Sequence, residues 1–371
     1  MTGPARPPVV PSSAASSAPW APAALGHRRW RFIGAAIVCL IALTPPFVSS
    51  GYHLFQFSQV LIYAIALIGL NLLTGYNGQI SLGHGAFFAI GGYAGAILMT
   101  KFGWPYWATP PAAAAICFVA GFLFGLPALR LGGLYLALAT FALAVATPQL
   151  LNFKGFDAWT GGSQGLQIAK PHAPFGWALT PDQWLYGLCL LVAALMFWAA
   201  RNLVSGRIGR AIVAIRDHPI AAETMGINIS LYKATCFGVS ALYAGVAGSL
   251  ASILVGFVSP DSFGLFLSLS FLVGVVVGGL ASIGGVLFGA LFIEFVPNYA
   301  DQFTSLFGES AKALPGAIYG ALLIALMAIL PTGVAGAIGK MPSIFLKLLS
   351  KRACAPATRP PPTSNPKEQL L

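Results

Sequence analysis

The sequence predicts an all-α polytopic membrane protein with about ten transmembrane helices. Of its 371 residues, 57% are hydrophobic and only 8% are charged, and the mean hydropathy is +0.80. Soluble domains carry about 25% charged residues, so this chain has too few charges to cover a surface in water. Its apolar residues form continuous blocks and do not alternate with polar residues as in a membrane β-barrel strand, which favours helices.

A helix needs about 20 apolar residues to cross the hydrocarbon core of a bilayer. The apolar blocks therefore predict a transmembrane domain over residues 32–335, preceded by a disordered tail at residues 1–31 and followed by a second tail at residues 336–371. The predicted spans within it are residues 32–48, 54–73, 80–99, 108–129, 134–153, 184–200, 234–256, 264–280, 284–300 and 314–330.

The distribution of basic residues predicts the orientation. With the N-terminus in the cytoplasm, 16 of the 20 Lys and Arg residues fall on the cytoplasmic side. The remaining four are Lys101, Lys154, Lys170 and Lys312. Cytoplasmic loops carry an excess of Lys and Arg, so both termini are expected to be cytoplasmic. The net charge of +11 is interpreted as this asymmetry and not as a nucleic-acid surface.

Two polar segments separate the predicted spans. Residues 154–183 are expected outside, either as an interfacial loop with aromatic residues or as a docking surface or lid. Residues 201–233 are expected in the cytoplasm as two short helices at the membrane surface. Pro219 suits the first turn of the second helix, and Gly226 suits its end. This second segment is either a solvated connector or a surface that another protein binds.

Polar side chains at membrane depth are costly and mostly face the interior of a helix bundle. His84 is either a packing histidine bonded to a backbone carbonyl or a functional residue. Glu294 lies either near the outer end of its span, in reach of water, or on a translocation path. The candidates for this path are Asn71, Gln79, Ser81, His84 and Glu294.

Glycine is abundant within the predicted spans. Pairs such as Gly91 and Gly95 have the spacing that lets two helices approach closely in lipid. The stretches at residues 81–96 and 274–290 are similarly rich in glycine, which suggests an internal repeat like those of many transporters.

No pattern of a soluble enzyme is present. The sequence has no GxxxxGK[ST] phosphate loop and no HExxH motif, and its five cysteines lack the spacing of metal ligands. The chain is therefore expected to bind no cofactor or metal and to hydrolyse no ATP.

Four motifs together resemble the LivM-type permease, a membrane subunit of the branched-chain amino acid ABC importers. They are GLNLLTGYNGQISLGHGAFFAIGGYAGA at residues 69–96, RLGGLYLALATFAL at 130–143, GGSQGL at 161–166 and GRIGRAIVAIRDHPIAAETMGINISLYK at 206–233. The resemblance covers residues 54–335 and implies the ABC importer permease fold in the bacterial inner membrane. It implies as partners a LivH-type permease subunit, two cytoplasmic ABC ATPase subunits and a periplasmic amino-acid-binding protein.

The resemblance implies that leucine, isoleucine and valine are the substrates. Related permeases carry urea, short amides or aromatic acids, so these substrates stay open as alternatives.

The resemblance also implies that residues 201–233 contain the coupling loop, which docks in a groove of an ATPase subunit. AAETMG at residues 221–226 matches the Ala-Ala-x-x-x-Gly core of that loop. Ala222 and Gly226 are four residues apart, so they are expected to share one helix face and to permit close approach. The residues expected to couple the chain to the ATPase are Arg216, Asp217, Pro219, Ala221, Ala222, Glu223 and Gly226.

Two other classes of function are weighed against the importer permease. A stand-alone ion-coupled transporter or channel would use His84 or Glu294 as an ion or proton site. A membrane enzyme would need clustered ionisable residues, which the sequence does not show. The resemblance to the coupling loop favours the permease over both.

Overall fold

The computed structural model describes residues 44–48, 51–128, 131–173, 180–305, 314–330 and 333–337. The chain divides into two compact units, Met1–Val48 and Ser49–Leu371. Of the first unit, the structure describes Thr44 and the single helical turn Pro45–Val48. The predicted N-terminal tail, most of the predicted span at residues 32–48 and nearly all of the predicted C-terminal tail lie outside the described residues.

The described part of the second unit is almost entirely helical. Its main helices are α1 (Gly51–Asn71), α2 (His84–Thr100), α3 (Thr109–Ala128), α4 (Leu134–Leu151), α5 (Pro181–Ser205), α6 (Arg207–Asp217), α7 (Pro219–Thr224), α8 (Ile229–Val255), α9 (Leu265–Gly278), α10 (Val286–Ser305) and α11 (Leu314–Ile329). A π-helical turn, Leu72–Tyr76, continues α1. Shorter helical turns are Lys154–Phe156, Asp157–Thr160, Gly162–Gln164 and Pro260–Phe263.

The predicted total of ten spans is not confirmed. In the described residues, seven stretches are long and apolar enough to cross a membrane: Gly51–Tyr76, Thr109–Pro127, Leu134–Leu151, Pro181–Ser205, Ile229–Val255, Pro260–Gly278 and Gly320–Ala337. Helix α2 and the apolar part of α10, Val286–Ala300, are shorter than these stretches. Each of the nine predicted spans after residue 48 nevertheless overlaps one described helix.

The all-α class is confirmed, with one short exception that the sequence did not reveal. Strand β1 (Leu166–Gln167) pairs antiparallel with strand β2 (Phe257–Val258), which directly follows α8. Gly256 makes this turn possible because it ends α8 in the left-handed conformation, with φ at +73°. The polar segment that begins at residue 154 is thereby attached to the end of α8.

Helices α1 and α8 form the buried centre of the second unit, whereas α5 is mostly exposed. Helix α2 packs on α8 through Gly91 and Gly95. A Cβ atom on Gly95 would lie 2.6 Å from Ser249 Oγ, and one on Gly91 would overlap the backbone of Gly245. The predicted close approach at this glycine pair is therefore present, and it brings α2 against the centre of the bundle.

Candidate translocation and coupling site

Two non-helical segments lie near the end of α1. The first break, residues 77–83, separates the π-helical turn from α2, which begins at His84 and not at the predicted residue 80. The second break, residues 279–285, separates α9 from α10. Gly78 in the first break has φ at +73°, and Ala281 in the second has φ at +57°. The second break falls within the glycine-rich stretch at residues 274–290, and the first break ends inside the stretch at residues 81–96.

Asn71, the last residue of α1, forms two side-chain hydrogen bonds with the backbone of the second break. Its Nδ2 donates to the carbonyl oxygen of Ser282 at 3.0 Å, and its Oδ1 accepts from the backbone N–H of Ala281 at 2.9 Å. The side chain is buried, so both hydrogen bonds are shielded from water. A Cβ atom at position 75 would overlap Asn71 Oδ1 and the backbone nitrogen of Ala281, so this contact requires glycine at position 75. The two segments joined in this way are about 210 residues apart in the chain.

Arg216 joins α6 to the residues at the first break. Its Nη1 donates to the carbonyl oxygen of Gly75 at 2.8 Å. The C-terminal end of a helix leaves carbonyl oxygens without a helical partner and carries a partial negative charge. A cation at that end therefore interacts favourably with the helix dipole. The Arg216 side chain also covers Gly78, where a Cβ atom would lie 2.9 Å from its Cγ. Arg216 Nε pairs with Asp217 Oδ1 at 2.9 Å on the exposed side.

The predicted pair of short helices in residues 201–233 is present as α6 and α7, and Pro219 lies at the start of α7. Helix α6 turns Ile212 and Ile215 inward, where both are buried. The two ends of the predicted segment belong to the adjacent long helices. Residues 201–205 are the last residues of α5, and α8 begins at Ile229.

The expectation that Ala222 and Gly226 share one helix face is wrong. Helix α7 ends at Thr224, and Gly226 lies beyond it with φ at +81°. Ala222 is only 4% exposed, so it packs within this chain and is not free to face a partner. Its carbonyl oxygen accepts from the backbone N–H of Ile227 at 3.1 Å, which folds the chain back at this point.

The most exposed large apolar residues of this segment are Ile220 and Met225, at 79% and 83% exposure. Sequence reasoning missed both, although large apolar side chains in a polar segment are a signal for an interface. Around them, Asp217, Pro219, Ala221 and Glu223 are exposed as well.

The path candidates in the first break bond to nearby groups of the chain. Asn77 Nδ2 donates to Gln79 Oε1 at 2.9 Å, and Ser81 Oγ accepts from the backbone N–H of Gly83 at 3.3 Å. His84 is buried and donates from Nε2 to the carbonyl oxygen of Ala66 at 2.9 Å. The structure therefore favours the packing interpretation of His84.

Glu294 lies in the middle of α10, not near the end of its helix, because α10 extends to Ser305. Its carboxylate is buried, and Oε1 accepts from Asn298 Nδ2 at 3.2 Å. Within the described residues, no hydrogen bond joins any two of the five path candidates. They border the bundle interior separately and do not form one preassembled pocket.

A bundle with several helices long and apolar enough to cross a membrane is typical of a polytopic membrane protein. The sequence profile described as "Branched-chain amino acid transport system / permease component" matches residues 53–338. The chain belongs to this family, and the predicted resemblance to LivM-type permeases is confirmed.

Individual relatives agree with the family. The high-affinity branched-chain amino acid transport system permease proteins LivM of Salmonella typhimurium and Escherichia coli are each 34% identical over 278 residues. These matches cover 68% of this chain and 65% of each relative, so the chain spans slightly less than two thirds of their length. The Escherichia coli permease protein LivH is 23% identical over 293 residues, 74% of this chain and 91% of the relative. No solved structure gives a significant match.

Proposed function

We propose that this chain is the membrane-spanning permease subunit of an ATP-driven importer for leucine, isoleucine and valine. It lies in the bacterial inner membrane with both termini in the cytoplasm, in agreement with the distribution of Lys and Arg. Its partners are a LivH-type permease subunit, two cytoplasmic ABC ATPases and a periplasmic amino-acid-binding protein. The chain itself hydrolyses no ATP, because it lacks a phosphate loop.

The observation that carries this proposal is the hydrogen bond from Arg216 to Gly75. It connects the segment expected to dock on an ATPase with the π-helical turn that precedes the first break. From Gly75 the contact continues to Asn71 and then to Ala281 in the second break. A displacement of α6 therefore reaches both breaks through direct contacts, as a mechanically coupled importer requires.

The breaks also present backbone groups that a zwitterionic amino acid can bind. Helix ends present N–H and C=O groups whose dipoles attract a carboxylate or an ammonium group. We propose that the substrate passes along the two breaks and the polar side chains of Asn71, Gln79, Ser81 and Glu294. His84, whose Nε2 donates to the carbonyl oxygen of Ala66, serves packing instead.

The ion-coupled transporter has less support from the same residues. His84 already donates to the carbonyl oxygen of Ala66, and the Glu294 carboxylate accepts from Asn298. No described contact links these two residues into a relay. An importer of the same type for urea, short amides or aromatic acids remains the alternative for the substrate.

We further propose that Ile220 and Met225 form the apolar centre of the ATPase contact, surrounded by Asp217, Ala221 and Glu223. Pro219 fixes the start of α7, and Gly226 permits the turn that leaves Met225 exposed. Ala222 supports this surface from within by packing inside the chain.

Replacing Ile220 or Met225 with glutamate is expected to release the ATPase subunits and to abolish uptake. A charge placed in the apolar centre of an interface removes a contact of about 2 kcal/mol, which weakens binding about thirtyfold. The measurement is capture of ATPase subunits by the tagged chain, together with amino-acid uptake by the same cells. Met225→Leu is the control and should behave as the unchanged protein. Normal capture and uptake in both glutamate variants, at normal membrane levels, would refute this docking surface.

A further inference from the structure

An apolar groove of about 260 Å³ lies between the end of α5, the start of α6 and the first turns of α8. Leu203 lines it from α5, Ile208 from α6, and Leu231, Thr235 and Val239 from α8. The hydroxyl of Thr235 donates to the carbonyl oxygen of Leu231 at 2.7 Å, so its hydrogen atom is already used within the helix. The groove is therefore suited to a hydrocarbon chain.

The mouth of the groove is at the boundary of the predicted membrane core, because α5 ends and α8 begins there. Ile208 and Leu231, two of the lining residues, are 48% and 55% exposed. Large apolar side chains exposed beside a groove at this depth are expected to contact lipid or another apolar partner.

Basic residues flank the lining residues along the chain. Arg207 directly precedes Ile208, and Lys233 directly follows Tyr232, another lining residue. In the part of the chain that the structure describes, neither Arg207 nor Lys233 makes an ion pair.

Carboxylates are scarce in the helices that build the groove. No acidic residue occurs between Asp182 and Asp217, or between Glu223 and Asp261. Asp217 itself pairs with Arg216 at the other end of α6. The charged residues next to the groove lining along α5, α6 and α8 are therefore basic, which matches a negatively charged ligand.

We propose that this groove holds an acyl chain of an anionic phospholipid, whose phosphate lies against Arg207 and Lys233. Burial of each methylene group in an apolar site is favourable, and basic pockets between transmembrane helices select anionic head groups. The lipid would pack on Ile208 and Ile212 and so hold α6 against the bundle, with Arg216 at its bond to Gly75. Lipid binding itself does not depend on the proposed transport activity, so the two proposals can fail separately.

The test is lipid occupancy of the purified full complex that contains this chain. Native mass spectrometry would follow exchange with phosphatidylglycerol and with phosphatidylcholine of the same acyl chains. We expect the unchanged complex to retain phosphatidylglycerol. Arg207→Gln and Lys233→Gln should each weaken this retention about fivefold. Thr235→Trp, which fills the groove, should displace the lipid without changing the charge.

The matched control is the pair Lys101→Gln and Lys154→Gln, which removes two exposed charges after α2 and α4. This pair should leave lipid occupancy unchanged. Equal retention of both phospholipids would overturn the proposal, as would unchanged retention in the Arg207 and Lys233 variants. A Leu231→Cys variant that crosslinks to the partner permease in a lipid-free complex would show that protein fills the groove instead.

Discussion

The variant Arg216→Ala is expected to lose at least about nine tenths of amino-acid uptake while it stays in the membrane and keeps its ATPase subunits. The substitution removes the hydrogen bond to Gly75 and the cover over Gly78. Hydrogen bonds to charged groups contribute about 1.5–3 kcal/mol, which corresponds to at least a tenfold change in a conformational equilibrium. The apolar docking residues Ile220 and Met225 are unchanged, so assembly should persist. The measurement is uptake of labelled leucine by cells, with capture of the ATPase subunits from the same membranes.

The structure offers a matched control for Arg216 on the same helix. Arg210 also donates to a backbone carbonyl oxygen, that of Ser205 at 3.2 Å, but this carbonyl belongs to the end of α5 and not to the π-helical turn before the first break. Arg210→Ala should therefore keep most of the uptake. Equal uptake in the Arg216 and Arg210 variants would show that the contact with Gly75 does not couple the ATPase to the bundle.

The variant Asn71→Leu is expected to destabilise the membrane domain and to abolish uptake. Leucine has nearly the same size, but it leaves the N–H of Ala281 and the carbonyl of Ser282 without their partner. Each buried backbone group left unpaired costs about 1–3 kcal/mol. The measurement is the thermal unfolding of the purified complex, followed together with its ability to take up leucine.

A second substitution tests the reason for this effect. Ala281 has φ at +57°, a conformation that costs a non-glycine residue about 1–2 kcal/mol. Glycine adopts it freely, so Ala281→Gly should recover part of the stability lost in Asn71→Leu. An Asn71→Leu protein with unchanged unfolding temperature and normal uptake would contradict the structural role of Asn71.

The sequence predicted the helices well where a long apolar block determines them. Helices α1, α4 and α8 overlap their predicted spans because lipid tolerates only continuous apolar stretches with internally bonded backbone. The paired helices α6 and α7 were also predictable, since isoleucines at helical spacing and a proline at a helix start are local signals.

Interactions between distant residues could not be predicted in this way. The bond of Asn71 to the second break joins residues that no local pattern relates. The start of α2 at His84 depends on the left-handed Gly78 and on the bond between Asn77 and Gln79. The two short helices that carry the proposed ATPase-coupling residues were predicted, but the end of α7 at Thr224 exposes Met225 and buries Ala222.

The most direct test of the account is transport by purified components in sealed vesicles. The chain would be reconstituted with its partner permease and ATPase subunits, and the amino-acid-binding protein would be added outside. The account predicts leucine accumulation that requires ATP and the binding protein and is inhibited by isoleucine and valine. Leucine accumulation driven by an ion gradient in vesicles without the ATPase subunits would contradict it, as would ATP-driven uptake of urea or short amides without leucine.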